Sequence, residues 1–125
     1  MKTLSSVNFQ VPVRTMSEMN RRDHWAVRLR RKKEQREAVA VAWQNNLRGK
    51  KIQLPCVVKL TRIGPKPLDG DNWQSGAKFI RDFVAQKLGV DDASDQVRWE
   101  YDQMPVGIRE YAVKISISSI TSPDT

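Results

Sequence analysis

No glycine or proline occurs between Val13 and Arg48, and this uninterrupted stretch limits the fold more than any other feature of the chain. A segment of that length, rich in Arg, Lys, Glu, Gln and Ala, reads as one helix. Thr15-Met16-Ser17-Glu18 has the form of a capping box, with Thr15 capping the first turn and Glu18 reaching back to it. The helix is therefore predicted over about residues 16–48, with Gly49 as its stop signal. Trp25, Leu29, Ala40, Trp43 and Leu47 carry its apolar face, with Val39 beside it. The run RRKKEQRE, from Arg30 to Glu37, is wholly polar and interrupts that stripe. Such a helix is expected to pack at its ends and to turn its middle to solvent or a partner.

Shorter segments surround it. VNFQVPV, residues 7–13, alternates loosely and predicts a short strand that Pro12 ends or confines to an edge. IQLPCVVKLTRI, residues 52–63, predicts a strand, and Gly64-Pro65-Lys66-Pro67 a rigid loop. After Asp69-Gly70-Asp71-Asn72 a second helix runs to about Leu88, with Trp73, Ala77, Ile80, Val84 and Leu88 as its buried stripe. Gly89 stops it. An acidic turn, Asp91 to Asp95, leads to two strands, Gln96–Met104 and Tyr111–Ile120, expected to pair as a hairpin through Pro105–Arg109. This order predicts a single α+β domain over residues 1–125. Its two main helices pack on one face of a small mixed or antiparallel sheet.

The composition excludes several chemistries. The lone Cys56 leaves no intramolecular disulfide and no multi-thiolate zinc site, and the lone His24 no multi-histidine centre. No apolar run approaches the ~20 residues that cross a bilayer. The first fifteen residues lack the apolar core of a secretory signal, so an intracellular, cytoplasmic protein is expected. The net charge of +8 is uneven: residues 1–51 hold thirteen Lys/Arg against four Asp/Glu, and the remainder nine against ten. A basic half of this kind suits a polyanionic partner, above all nucleic acid. The plainer alternative is a solvated basic helix face.

Seven of the fourteen carboxylates lie between Asp69 and Glu100. Hard oxygen donors gathered in a basic chain suit Mg²⁺ or Mn²⁺ held between protein carboxylates and a phosphate. Each acid also has a local reading: Asp71 or Asn72 as helix cap, Asp69 as turn residue, Asp91-Asp92 as loop, Lys78 and Asp82 as an i,i+4 pair. Bringing Asp92 near Asp71 requires residues 90–95 to fold over, or the following strand to run back. An EF-hand, a phosphate-cradling P-loop and a Ser or Cys triad are all absent.

LDGDN, a helix bearing Lys78 and Asp82, then GVDDASDQV and two strands together resemble the Holliday-junction resolvases of the RusA type, small endonucleases common in prophages. The resemblance is strong over about residues 56–118, and the basic N-terminal helix matches in order and character. It implies that Asp69, Asp71 and Asp92 bind a divalent metal, Mg²⁺ or Mn²⁺, that Asn72 is the motif asparagine and that Lys78 is the motif lysine. In the family that lysine follows the second aspartate by four residues; here it follows Asp71 by seven, and Ser75 holds the expected offset. The resemblance further implies a homodimer that cuts two symmetry-related strands of a four-way DNA junction. Arg21, Arg22, Arg28, Arg30, Arg31, Lys32, Lys33 and Arg36 are then the candidate DNA contacts, neutralising backbone phosphates without reading sequence. A non-catalytic nucleic-acid-binding protein of the same fold, and an adaptor that binds an acidic protein, are the alternatives. Trp25, Trp43 and Trp99 are candidates for a dimer interface or for the core.

Overall fold

A computed structural model describes residues 3–16 and 24–120. Helix α1, Trp25–Leu47, begins later than the capping box suggests. His24 caps it, its Nδ1 accepting from the Ala26 N–H at 3.2 Å. Thr15 and Met16 are not helical, and Glu18 lies outside the described residues. The helix ends where Arg48 and Gly49 both turn left-handed, at φ 48° and 80°.

Its buried face also differs from expectation. Trp25 and Leu29 stand 67% and 54% exposed, while Gln35, inside the polar run, is buried with Val39, Ala42, Trp43 and Leu47. Offsets of four, seven, eight and twelve keep these five on one stripe. The helix therefore packs from its middle to its C-terminus.

The strands are β1 (Thr3–Leu4), β2 (Ser6–Val11), β3 (Lys51–Ile52), β4 (Cys56–Gly64), β5 (Val97–Pro105) and β6 (Ala112–Ser119). The predicted strand over 52–63 is split into β3 and β4, since Pro55 has no N–H for a ladder. β3 pairs with β1 in a separate parallel bridge. The main sheet has the order β2-β6-β4-β5, with β4 and β5 parallel and the other neighbours antiparallel. β5 and β6 are thus not a hairpin. Two helices between β4 and β5 supply the crossover that parallel pairing needs. The segment after β5 then passes the end of β4, where the Val106 N–H donates to the Gly64 carbonyl at 2.9 Å, before β6 pairs along β4's other side.

Three rows of side chains cross the helix-facing side of the sheet. They are Val7–Ile117–Val58–Trp99, Phe9–Ile115–Leu60–Tyr101 and Val11–Val113–Arg62–Gln103. The first two rows are apolar or aromatic throughout; the third carries Arg62. α1 closes over β2, with Phe9 and Trp43 edge to face at 6.1 Å. Trp73 meets Tyr101 the same way at 6.3 Å, joining the crossover helices to β5. The opposite face carries Asn8, Gln10, Ser116 and Ser118, as the period of two requires for a sheet wetted on one side.

The second predicted helix is two: α2, Gly70–Gly76, and α3, Lys78–Leu88, joined at Ala77. A Cβ on Gly76 would come within 2.7 Å of the Met16 carbonyl oxygen, so the N-terminal segment crosses the end of α2 where only glycine fits. Trp73, Ala77, Ile80 and Val84 are buried as the spacing predicts. No described helix is long and apolar enough to cross a membrane.

Candidate functional site

The loop after β4 is fixed at several points. Arg62 Nη1 donates to the Lys66 carbonyl at 2.7 Å. Leu68 exchanges two hydrogen bonds with the Gln103 side chain of β5, both at 2.7 Å. Asp69 then occupies the cap position of α2: its carbonyl accepts from the Trp73 N–H at 2.8 Å, while its side chain makes no cap bond. Asp71 lies in the first turn, and both carboxylates are exposed. The local reading of Asp71 or Asn72 as the helix cap is thereby corrected: both lie inside α2, and Asp69 holds the cap position. Asn72 is half-buried, and Lys78 opens α3, exposed.

Asp92 is carried back along α3. Gly89, left-handed at φ 79°, donates to the Gln86 carbonyl and Val90 to the Ala85 carbonyl, a Schellman ending that reverses the chain. Asp91 closes the next turn, its Oδ1 accepting from the Ala93 N–H at 3.0 Å, which also holds its carboxyl below the ordinary value. The Asp92 carbonyl accepts from Arg81 Nη2 at 2.9 Å and from Trp99 Nε1 at 3.1 Å. Its carboxylate lies 3.8 Å from Arg81 Nε. Arg81 also donates to the Tyr101 hydroxyl at 2.8 Å and lies over the Trp99 ring. Burial, then the negative charge of Asp92, push the Asp82 carboxyl up; Lys78, Lys32 and Arg81 oppose them. Residues 90–95 thus fold over, bringing Asp92 beside Arg81 and Asp82.

A divalent ion of the Mg²⁺ type commonly takes one or two protein carboxylates together with substrate phosphate. Asp69 and Asp71, exposed oxygen donors two residues apart, fit that chemistry. Among the described residues, no three Asp, Glu, His or Cys side chains form a group able to hold a metal ion. Asp92 is accordingly not gathered with the other two; its carboxylate is paired with Arg81.

The basic helix divides into two sides. Lys32 and Arg36 lie over the Phe79 and Phe83 rings of α3, at 5.8 and 5.9 Å. Arg28 and Lys32 line a hollow with Trp25, Leu29 and Phe79. Arg28, Arg30 and Lys33 are exposed and Arg31 half-buried; Arg21 and Arg22 lie outside the described residues. Trp43 is core, and Trp99 is tied to the Asp92 turn, so of the three tryptophans weighed for an interface only Trp25 is open.

Sequence reasoning missed a second cationic feature, a pocket of about 490 Å³ at the end of β4 whose walls include Arg14, Arg62, Lys66 and Arg109. One signal for it was readable: in β4 the inward positions run Val58, Leu60, Arg62, so a charge stands where the alternation calls for an apolar residue. No protein-family model matches this chain, and no curated protein sequence matches it.

Proposed function

We propose that this protein is a divalent-metal-dependent, structure-selective DNA endonuclease that acts on four-way junctions. The observation that carries the reading is the state of Asp69 and Asp71. Their loop is tied to β5 through Gln103, neither side chain is buried, and the Asp69 side chain makes no cap bond. They also follow directly on a loop lined with Arg62 and Lys66. Carboxylates beside phosphate-binding cations repel the same phosphate unless a cation stands between. Asp69 and Asp71 would hold that ion, which supplies Lewis-acid stabilisation of the charge that develops on a phosphodiester. Lys78 would offset charge from the neighbouring turn, and Asp92 would act from its place beside Arg81. The exposed cations of α1 would neutralise the junction arms.

A four-way junction presents two equivalent strands, and two cuts call for two sites, so a homodimer is the assembly proposed. The exposed Trp25 and Leu29 offer apolar surface for one.

A second reading, a nucleic-acid-binding protein without cleavage, is favoured by one observation: Asp92 is not gathered with Asp69 and Asp71. Cleavage of an end-labelled four-way junction separates the two. The endonuclease gives nicks that require Mg²⁺ or Mn²⁺, stop in EDTA and disappear in Asp71→Asn. The binding protein gives no cut with either metal, and Asp69→Asn and Asp71→Asn bind DNA as well as the parent or more tightly.

A further inference from the structure

Arg62 is 7% exposed, in a row whose other members are Val11, Val113 and Gln103. A buried guanidinium is ordinarily paired with a carboxylate, because desolvating an unpaired charge is costly. Among the described residues no carboxylate pairs with Arg62; its hydrogen bond goes to the Lys66 carbonyl. Burial, together with the neighbouring cation Arg14, draws its pKa below the ordinary arginine value. Arg14 is itself held in place, its guanidinium 4.4 Å above the Tyr111 ring. Lys66 and Arg109 complete a wall of four cations, and among the described residues no acidic side chain lines the pocket. Gly64 leaves room for the group: a Cβ there would stand 3.1 Å from both terminal nitrogens of Arg62.

An anion relieves every one of these tensions. It pairs the buried charge, screens Arg62 from Arg14 and uses the planar donor fork that arginine presents to phosphate. Leu68 lines the same pocket and Asp69 follows it in the chain, so a phosphate seated here adjoins the acidic pair. We infer that the Arg62 pocket binds a phosphate group of the nucleic-acid backbone, next to the Asp69–Asp71 loop. The inference deepens the nucleic-acid reading given above and is independent of whether the protein cuts. The chemistry recognised is that of a phosphate, whether in a DNA strand or free in solution.

The test uses the full chain in EDTA, so that binding is read without cleavage. Arg14 and Arg109 are exposed, and Arg14→Gln with Arg109→Gln removes two pocket charges while sparing the buried Arg62. Lys50→Gln with Lys51→Gln removes the same charge elsewhere, and thermal melts check that both variants fold. The probes are a fluorescently labelled four-way DNA junction and inorganic phosphate, the latter followed by the amide resonances of Leu68 and Lys66, which line the pocket. The pocket pair is expected to weaken junction binding about tenfold or more and to flatten its salt dependence by about one phosphate contact. The control pair should lose no more than about threefold by general charge reduction. Inorganic phosphate should shift both amides saturably in the parent and not in the pocket pair. Equal losses from the two pairs would overturn the inference. Saturable phosphate binding with equal junction losses would also overturn it, by assigning the pocket to free phosphate. Failure to cut in a separate cleavage assay would count against the endonuclease reading alone.

Discussion

The Gln103 side chain binds the Leu68 backbone as a second strand would: the Leu68 N–H donates to Gln103 Oε1 and Gln103 Nε2 donates to the Leu68 carbonyl, both at 2.7 Å. The amide thus satisfies both polar groups of one residue and fixes the backbone that precedes Asp69. Two neutral hydrogen bonds of this kind contribute about 1 kcal/mol each.

Gln103→Ala is expected to cost about 1–3 kcal/mol in urea unfolding, since it leaves both Leu68 groups without their partners. Gln103→Glu keeps an acceptor for the Leu68 N–H but sets a carboxylate against the Leu68 carbonyl, so it should not restore stability. Full rescue by glutamate would show that the two-point exchange is not what holds the loop.

Gln35 is 1% exposed, and among the described residues neither its amide nitrogen nor its amide oxygen has a hydrogen-bond partner. Gln35→Met, close in length and shape, should therefore stabilise the protein by about 1–2 kcal/mol in the same assay. A loss of stability would mean that the amide makes bonds in solution.

Two aspartates should respond to pH in opposite senses. The Gln103 N–H and the Lys59 ammonium, the latter at 3.3 Å, hold the Asp102 carboxyl below its ordinary value of 3.8. Its contribution to stability is therefore present above pH 3.8 and lost as the pH falls through the lowered value. Burial and Asp92 raise Asp82, so there the protonated form favours the fold, and stability is lost as the pH climbs above 3.8. In thermal melts without added metal, Asp102→Asn should lower Tm at pH 7 but not at pH 2. Asp82→Asn should raise Tm at pH 7 and have no effect at pH 3. Shifts of the same sign for both would contradict the assignments.

The stripes of local periodicity were readable, and the pairings that depend on the rest of the molecule were not. Trp73, Ala77, Ile80 and Val84 announce a buried face by spacing alone, and Val11 ends β2 where Pro12 requires. The break at Ala77 was hidden, since it accompanies the crossing of Gly76 by Met16, sixty residues earlier in the chain. The strands after the acidic turn suggested a hairpin because their loop is short, but the loop spans β4 rather than closing on itself. Gln35 hid within RRKKEQRE because its neighbours are charged, although it continues the stripe of Val39 and Trp43. For the site, the motif named Asp69, Asp71 and Asp92 as candidates, and the fold pairs Asp92 with Arg81 rather than with the other two. Only the three-dimensional row Val113–Arg62–Gln103 shows how deeply a cation is set beside the acidic loop.

The most direct measurement is the mapping of cut positions on a four-way junction labelled on each strand in turn, in Mg²⁺, with Asp71→Asn alongside. The account expects paired nicks at symmetric positions on two opposing strands, none in EDTA, and none from Asp71→Asn while that variant still binds the junction. Tight junction binding with no cut in Mg²⁺ or Mn²⁺, or cutting that survives Asp71→Asn, would contradict it.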